Sequence, residues 1–142
     1  CIRDSAGSND GYGVISLSNS GAGGGITVAG GSGVTSRTGS TITLQTTQGG
    51  NIVVNTLIDG NIGDGRVELF SDGSISVPGL ITGGEALLQA QTGIAVNASM
   101  PFGFGTISSP AGDISVTNQF TIQVNNSITA AGNVIATCNF PS

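Results

Sequence analysis

The side chains of this sequence that could do chemistry are mainly its eight carboxylic acids, because the chain contains no histidine and no lysine. Without those two residue types, the usual general bases and activators of nucleophiles are missing. Asp64 and Glu85 form the pair that a shared face could place at the separation a glycosidase needs. However, Asp59, Asp64 and Asp72 each precede a glycine, which is ordinary turn chemistry. The acids therefore favour solvated turns and faces, and we expect no enzyme activity.

The patterns that could bind a metal are weak. Gly63-Asp64-Gly65 resembles one unit of the calcium-binding nonapeptide repeats, but those repeats act in tandem. Cys1 and Cys138 stand at opposite ends of the sequence, without the spacing of a metal cluster. We therefore expect no structural metal and no cofactor.

The two cysteines instead suggest a covalent link. A disulfide could join Cys1 of one molecule to Cys138 of its neighbour. Within one molecule, the first thirteen residues, at about 3.3 Å per residue, could stretch back to Cys138. Lipid attachment at Cys1 is a third alternative. Either disulfide implies an oxidising, extracellular setting.

The elements that must position these residues are short strands that repeat along the chain. In residues 42–58, one apolar pair precedes a Gly-Gly corner, a second pair follows it, and Ile58 lies four residues further on. The two-residue spacing within a pair places both side chains on one face of a strand. The recurrence of this layout predicts an all-β parallel β-solenoid, or β-helix, of about five coils over residues 14–142. Residues 1–13 lack the pattern and are predicted to form an irregular N-terminal arm.

The copies share one register. The first-strand pairs are Ile15/Leu17, Ile42/Leu44, Val67/Leu69, Ala86/Leu88 and Ile114/Val116, with Val134/Ala136 opening a sixth, unfinished copy. The second-strand pairs are Ile26/Val28, Ile52/Val54, Ile75/Val77, Ile94/Val96 and Ile122/Val124, at successive spacings of 26, 23, 19 and 28 residues. The lone apolar residues suited to a third, short strand are Ile58, Ile81, Met100 and Ile128. We therefore expect Ile52, Ile75, Ile94 and Ile122 to align in one inner file.

Asparagine recurs at the corner that follows the second strand, as Asn55, Asn97 and Asn125. Asparagine tolerates left-handed backbone and bonds to neighbouring main chain, so these residues predict a stacked ladder of turns. Asn97 and Asn125 also match the acceptor pattern for N-glycosylation. The corner alone accounts for the pattern, and glycan attachment is the alternative.

Two insertions interrupt the repeats, at residues 60–65 and 101–111. The second one carries Phe102 and Phe104 between glycines, where two rings are hard to bury inside a coil. The rings either fold back on the side of the solenoid or contact a neighbouring subunit or ligand.

An antiparallel fold is the structural alternative. Residues 67–77 could form a hairpin around Asp72-Gly73, and a β-sandwich would be built from such hairpins. A sandwich gives no reason for one register to recur in successive segments, so we favour the solenoid.

Composition narrows the class of partner. The 142 residues suit one domain, 37% of them are apolar and only 8% are charged, and the net charge is −5. The three arginines are scattered, whereas nucleic acid or an anionic membrane needs clustered cations. No apolar run approaches the length of a membrane span. The chain starts at Cys1 rather than methionine, which predicts a processed product or an excised piece.

The repeats resemble the shaft repeats of filamentous-haemagglutinin-like exoproteins. The resemblance covers roughly residues 14–137 and rests on segments such as GGNIVVNTLIDGNIG, DGSISVPGLITGGE and AGDISVTNQFTIQVNNSITAAGN. It implies a right-handed β-helical shaft in a secreted, surface-displayed structural or adhesive protein without catalysis. The Asn-Pro-Asn-Gly type of signature that marks the family's secretion domain is not present.

The open strand edges at the two ends of a stack are an aggregation hazard unless they are covered. The leading hypothesis is therefore a secreted, extracellular or cell-surface structural protein that assembles with itself, end to end, into a filament or sheath. An adhesin shaft segment that binds a host-surface or glycan ligand is the alternative, and a carbohydrate-active β-helix enzyme is the least favoured one.

Overall fold

The computed structural model describes residues 8–9, 14–31, 33–36, 41–61 and 65–139, and within this part the chain forms strands, turns and bends without any helix. Every strand pairing is parallel. The predicted all-β parallel solenoid is therefore confirmed. Its strands are β1 (Ser8–Asn9), β2 (Val14–Asn19), β3 (Ile26–Val28), β4 (Val34–Ser36), β5 (Thr41–Thr46), β6 (Ile52–Val54), β7 (Leu57–Asp59), β8 (Arg66–Ser71), β9 (Ser74–Thr82), β10 (Glu85–Ala90), β11 (Gly93–Ser99), β12 (Phe104–Ser109), β13 (Ile114–Asn118), β14 (Val124–Ala130) and β15 (Val134–Cys138).

The strands stack in two sheets. Among the described residues, sheet 1 has six strands in the order β14-β12-β10-β8-β5-β2, and sheet 2 contains the other nine. We divide the stack into six successive coils, and the path from the first coil to the sixth makes about five turns. They are coil 1 (β2–β4), coil 2 (β5–β7), coil 3 (β8 and β9), coil 4 (β10 and β11), coil 5 (β12 and β13) and coil 6 (β14 and β15). Part of the predicted irregular arm is ordered against this stack, because β1 pairs with β4.

Alternating side chains point into the space between the two sheets and form the core. In β8 the inward Val67 and Leu69 are fully buried, while the outward Glu68 and Phe70 are half-buried. Like positions in successive coils lie directly beside one another, so the core consists of continuous files of Ile, Val and Leu. Full burial of each such side chain contributes roughly 1.5–3 kcal/mol.

The predicted inner file is correct for three of its four members. Ile52, Ile75 and Ile94 are aligned, but the next member is Ile114 rather than Ile122. Ile122 lies between β13 and β14 and packs half-buried against the core. With Ile114 and then Val134 in the file, the spacings become 26, 23, 19, 20 and 20 residues, and the irregular last interval disappears.

The misassignment of Ile122 has a local cause. The predicted insertion at residues 101–111 contains a true strand, β12, which takes the first-strand place that the sequence pattern gave to Ile114 and Val116. Its inward residues, Phe104 and Ile107, are three positions apart because the register shifts between them. This irregularity, in which β12 has one residue more than its partner strand, is a β-bulge. A search for apolar residues at two-residue spacing therefore does not detect the pair.

The third strand persists only in the first half of the stack. Ile58 and Ile81 align as expected, and Val34 of coil 1 belongs to the same file. Ala98 continues this file in place of the predicted Met100, which is nevertheless fully buried. Three residues separate Val77 from Ile81, whereas one separates Val96 from Ala98. The corner that precedes the third strand is therefore absent at coil 4. Ile128, also predicted for a third strand, belongs to β14 in sheet 1.

The hairpin alternative is wrong. β8 and β9 follow each other closely, but β8 belongs to sheet 1 and β9 to sheet 2, so residues 71–74 turn a corner of the coil.

Candidate functional site: the C-terminal end face

The last coil presents the inward files of the solenoid to solvent. Strands β14 and β15 continue the registers of β12 and β13, so their inward side chains form the last layer of the core. We call this surface the C-terminal end face. It consists of Val124, Ile128, Ala130, Val134, Ala136 and Cys138.

Burial changes sharply at this layer. Ile107 is 1% exposed, whereas its partner Ile128 in coil 6 is 44% exposed. Ile114 is 1% exposed, whereas its partner Val134 is 46% exposed. The side-chain direction is the same in each pair, so the difference arises because no described residue covers coil 6.

The backbone of coil 6 is open as well. Among the described residues, β14 pairs only with β12 and β15 only with β13. The outer edges of both strands therefore carry N–H and C=O groups that point along the axis of the stack. Such an edge is a template for a further parallel strand.

The opposite end of the stack is better covered. Ile26, Val28 and Val34 of coil 1 are buried, while Ile15 and Leu17 are half-buried. The edge of β4 is paired with β1. The described strands β2 and β3 each pair on one side only, so these two edges could accept another strand.

Cys138 occupies an end-face position rather than a lateral one. It pairs with Asn118, which continues the inward file of Ile81 and Ala98. Cys138 is exposed and forms no disulfide with any residue that the structure describes. Cys1 lies outside the described residues, so both predicted pairings of the cysteines stay predictions. The two-residue spacing from Val134 through Ala136 was the sequence signal that could have placed Cys138 on this face.

Asn118 shows how a polar residue is accommodated in that file. It is fully buried, and its amide group donates to the carbonyl oxygens of Met100, at 3.1 Å, and Thr121, at 3.3 Å. Its Oδ1 accepts from the N–H of Met100 at 2.9 Å. These bonds provide the partners that a buried amide group needs.

The carboxylates of the described part bond mostly between coils. Asp59 accepts from Thr82 at 2.7 Å and Asp72 accepts from the N–H of Gly49 at 2.9 Å. Asp113 accepts from the N–H of Asn133 at 2.7 Å. These bonds link neighbouring coils, so the acids act as axial links.

Glu68 and Glu85 share one cation on the outer surface of sheet 1. Arg66 Nε lies 3.1 Å from Glu68 Oε1, in a contact too bent for a hydrogen bond, and 4.0 Å from Glu85 Oε2. Glu68 also accepts from Thr43, and Glu85 accepts from Asn125, both at 3.2 Å. Glu85 therefore has protein partners of its own. Asp64 and Gly63, predicted with it or as part of a calcium-type motif, lie outside the described residues.

The predicted asparagine ladder is only partly formed. Asn55, Pro78 and Asn97 lie in consecutive coils at one corner, and the Asn97 amide group donates to the carbonyl oxygen of Pro78 at 3.3 Å. Asn125 does not belong to this file, because it lies in β14 of sheet 1.

The two glycosylation patterns differ in access. Asn97 and Asn125 are both exposed, but Ser99 of the first pattern is buried whereas Ser127 of the second is exposed. Glycan attachment stays a prediction at both.

The two phenylalanines expected at a contact surface have opposite environments. Phe102 is 58% exposed at the turn before β12, and its role as an intersubunit contact stays a prediction. Phe104 is fully buried and opposes Ala86 in the core, so its proposed contact role is wrong. The glycines around it misled the prediction, because they suggested a loop.

No three thiol or carboxylate groups of the described residues lie close enough together to hold a metal ion. The described part also lacks a helix with the length and hydropathy needed to cross a bilayer.

Comparison with protein-family models, with curated proteins and with solved structures gave no significant match. The likeness to haemagglutinin-type shaft repeats therefore remains a resemblance of residue pattern.

Proposed function

We propose that this chain is a secreted structural protein, without catalytic activity, that assembles axially through its C-terminal end face. The observation that carries the proposal is the exposure of Ile128 and Val134, whose file neighbours one coil earlier are buried. A further coil stacked on this face would bury them in the same way. It would also pair the open edges of β14 and β15.

The energetics favour covering the face. Removing two half-exposed aliphatic side chains from water contributes on the order of 1–3 kcal/mol. Each ladder hydrogen bond formed at the edges adds about 0.5–1.5 kcal/mol. A solenoid is stabilised mainly by contacts between adjacent coils, so extension by one coil repeats an interaction that the chain already makes.

A second copy of this chain is the occupant that the ends fit best. The open edge of β3 offers the backbone groups of Ile26 and Val28, whose side chains are buried, at the two-residue spacing of Val134 and Ala136. β2 offers the half-buried Ile15 and Leu17 to β14. Such a head-to-tail joint would add parallel strands to both sheets.

Strand β1 limits how far the joint can extend over coil 1. β1 already occupies the edge of β4, so contact begins at β2 and β3 and reaches β4 only if β1 moves. Cys138 lies on the covered face, where a disulfide to Cys1 of the second copy would lock the joint. That disulfide is part of the proposal, and it requires an oxidising, extracellular setting.

The environments of the acids support a non-catalytic role. Asp59, Asp72 and Asp113 are engaged in bonds between coils, and Arg66 links Glu68 with Glu85. Carboxylates that already have protein partners stabilise the stack.

The test compares Val134→Asp with Ile135→Asp. Both residues lie in β15 and are exposed, at 46% and 59%, but Val134 continues an inward file whereas Ile135 is opposite the outward Ser115. We expect the wild-type chain to form axial multimers in sedimentation experiments and filaments in electron micrographs. A charge buried in the joint is costly, so Val134→Asp should weaken association at least about tenfold and Ile135→Asp should leave it nearly unchanged.

Labelling of Cys138 provides a second readout. In a Cys1→Ser background, a maleimide should modify Cys138 rapidly at low protein concentration and slowly once multimers form. In the wild type, non-reducing electrophoresis should show a multimer ladder that collapses with reductant. A chain that stays monomeric at all concentrations, or equal effects of the two aspartates, would contradict the proposal.

A further inference from the structure

The outer surface of sheet 1 carries a shallow groove that the structural role does not use. It has a volume of about 450 Å³ and follows the ends of strands β5, β8, β10 and β12. Gln45, Phe70 and Gln89 lie side by side along it, since Phe70 pairs with Gln45 on one side and with Gln89 on the other. Neighbouring strands are about 4.8 Å apart, so these three side chains cover roughly 10 Å of the axis.

The groove combines one aromatic ring with amide groups. Phe70 is half-buried, whereas Gln45 and Gln89 are exposed and make no side-chain hydrogen bond to another described residue. Each amide offers two donors and an acceptor. A pyranose ring has an apolar C–H face and a rim of hydroxyl groups, which match a flat ring flanked by amides.

The charge of the groove selects among ligands. Asp72 is the one charged side chain among its described lining residues, and it is engaged by Gly49. Polyanions such as nucleic acid and acidic polysaccharides are therefore disfavoured. A peptide strand is disfavoured as well, because the backbone groups of β5, β8 and β10 are already bonded within the sheet.

We propose that this groove binds a neutral oligosaccharide, with Phe70 as the stacking platform and Gln45 and Gln89 as hydrogen-bonding partners. This function goes beyond axial assembly and lies on a different surface. It also replaces residues 101–111 as the ligand-binding region expected of an adhesin shaft, because β12 occupies most of that segment.

The experiment uses the full chain and a panel of neutral tetrasaccharides of glucose, galactose, mannose and N-acetylglucosamine, with tetragalacturonate as the acidic comparison. Calorimetric titration should detect at least one neutral ligand with millimolar or tighter affinity. Phe70→Ala should weaken that binding at least about tenfold, and Gln89→Ala should weaken it several-fold. Leu87→Ala is the matched control, because Leu87 is half-buried and outward on the same strand as Gln89 but does not line the groove.

Phe70→Leu separates recognition from folding, since it keeps an apolar side chain but removes the flat ring. Circular dichroism and the unfolding midpoint confirm that each variant is folded. Binding of no neutral member of the panel, preference for tetragalacturonate, or wild-type affinity in Phe70→Leu would overturn the proposal. Val134→Asp should bind the sugar like the wild type, so failure of the groove and failure of axial assembly are distinguishable.

Discussion

Coils 5 and 6 have the same register but opposite environments. Ile107 and Ile114 of coil 5 are buried, and their partners Ile128 and Val134 in coil 6 are about half exposed. Residue type is nearly constant within each pair. The alternation of a strand thus sets the direction of a side chain, whereas its burial is supplied by the next coil.

The comparison shows that each coil of this fold is stabilised by contacts with the adjacent coils along the axis of the stack. Each coil is covered by its neighbours, and among the described coils, coil 6 has one neighbour whereas coils 2 to 5 have two. A substitution should therefore have an effect that depends on the number of covering coils. The exposed apolar surface that lowers the stability of coil 6 in the monomer also makes coil 6 suited to association.

The largest expected contrast is between Ile107→Ala and Ile128→Ala, which remove the same atoms from adjacent positions of one file. Ile107→Ala should lower the free energy of unfolding by about 2–5 kcal/mol, because it leaves a cavity in a closed core. Ile128→Ala should cost less than about 1 kcal/mol in the monomer. Chemical unfolding at low protein concentration measures both.

The same pair also tests the covering of coil 6. When multimers form at high concentration, the cost of Ile128→Ala should rise towards that of Ile107→Ala. A cost that is large already in the monomer would show that coil 6 is covered without a second copy.

A second contrast concerns polar positions in one inward file. Asn118→Ala removes the partner of three hydrogen bonds to Met100 and Thr121 inside the core, and should destabilise the fold by roughly 2–4 kcal/mol. Cys138→Ala, at the next position of the file, should change stability by less than about 0.5 kcal/mol in the reduced monomer. Thermal unfolding under reducing conditions measures the two, and equal costs would contradict this account of coil 6.

The sequence predicted the fold well where its spacing was regular. The pairs from Ile42/Leu44 to Ala86/Leu88 are in their expected places, because an unbroken two-residue alternation determines both the face and the register. It failed at β12, where a bulge places Phe104 and Ile107 three positions apart and neighbouring glycines suggested a loop.

The site was less predictable than the fold. The end-face position of Cys138 depends on the register of β13 and β15, which the misplacement of Ile114 had obscured. The groove was missed for a different reason. Gln45, Phe70 and Gln89 are far apart in sequence and become neighbours only through coil lengths of 25 and 19 residues.

The smallest expected contrast is between two acids that make the same type of bond at different depths in the stack. Asp113 accepts from the N–H of Asn133 and links coil 5 to coil 6, whereas Asp72 accepts from Gly49 and links coils 3 and 2. Loss of either bond costs about 0.5–1.5 kcal/mol.

In Asp113→Ala this loss should appear as local opening, because no second described coil holds coil 6 in place. Hydrogen exchange of the β15 amides should accelerate by roughly two- to tenfold while β13 stays protected. Asp72→Ala should leave the exchange of β15 unchanged, since coils 2 and 3 are held from both sides. Equal acceleration of β13 and β15 in Asp113→Ala would mean that the last two coils open together, and that the boundary between covered and uncovered coils lies one layer further in.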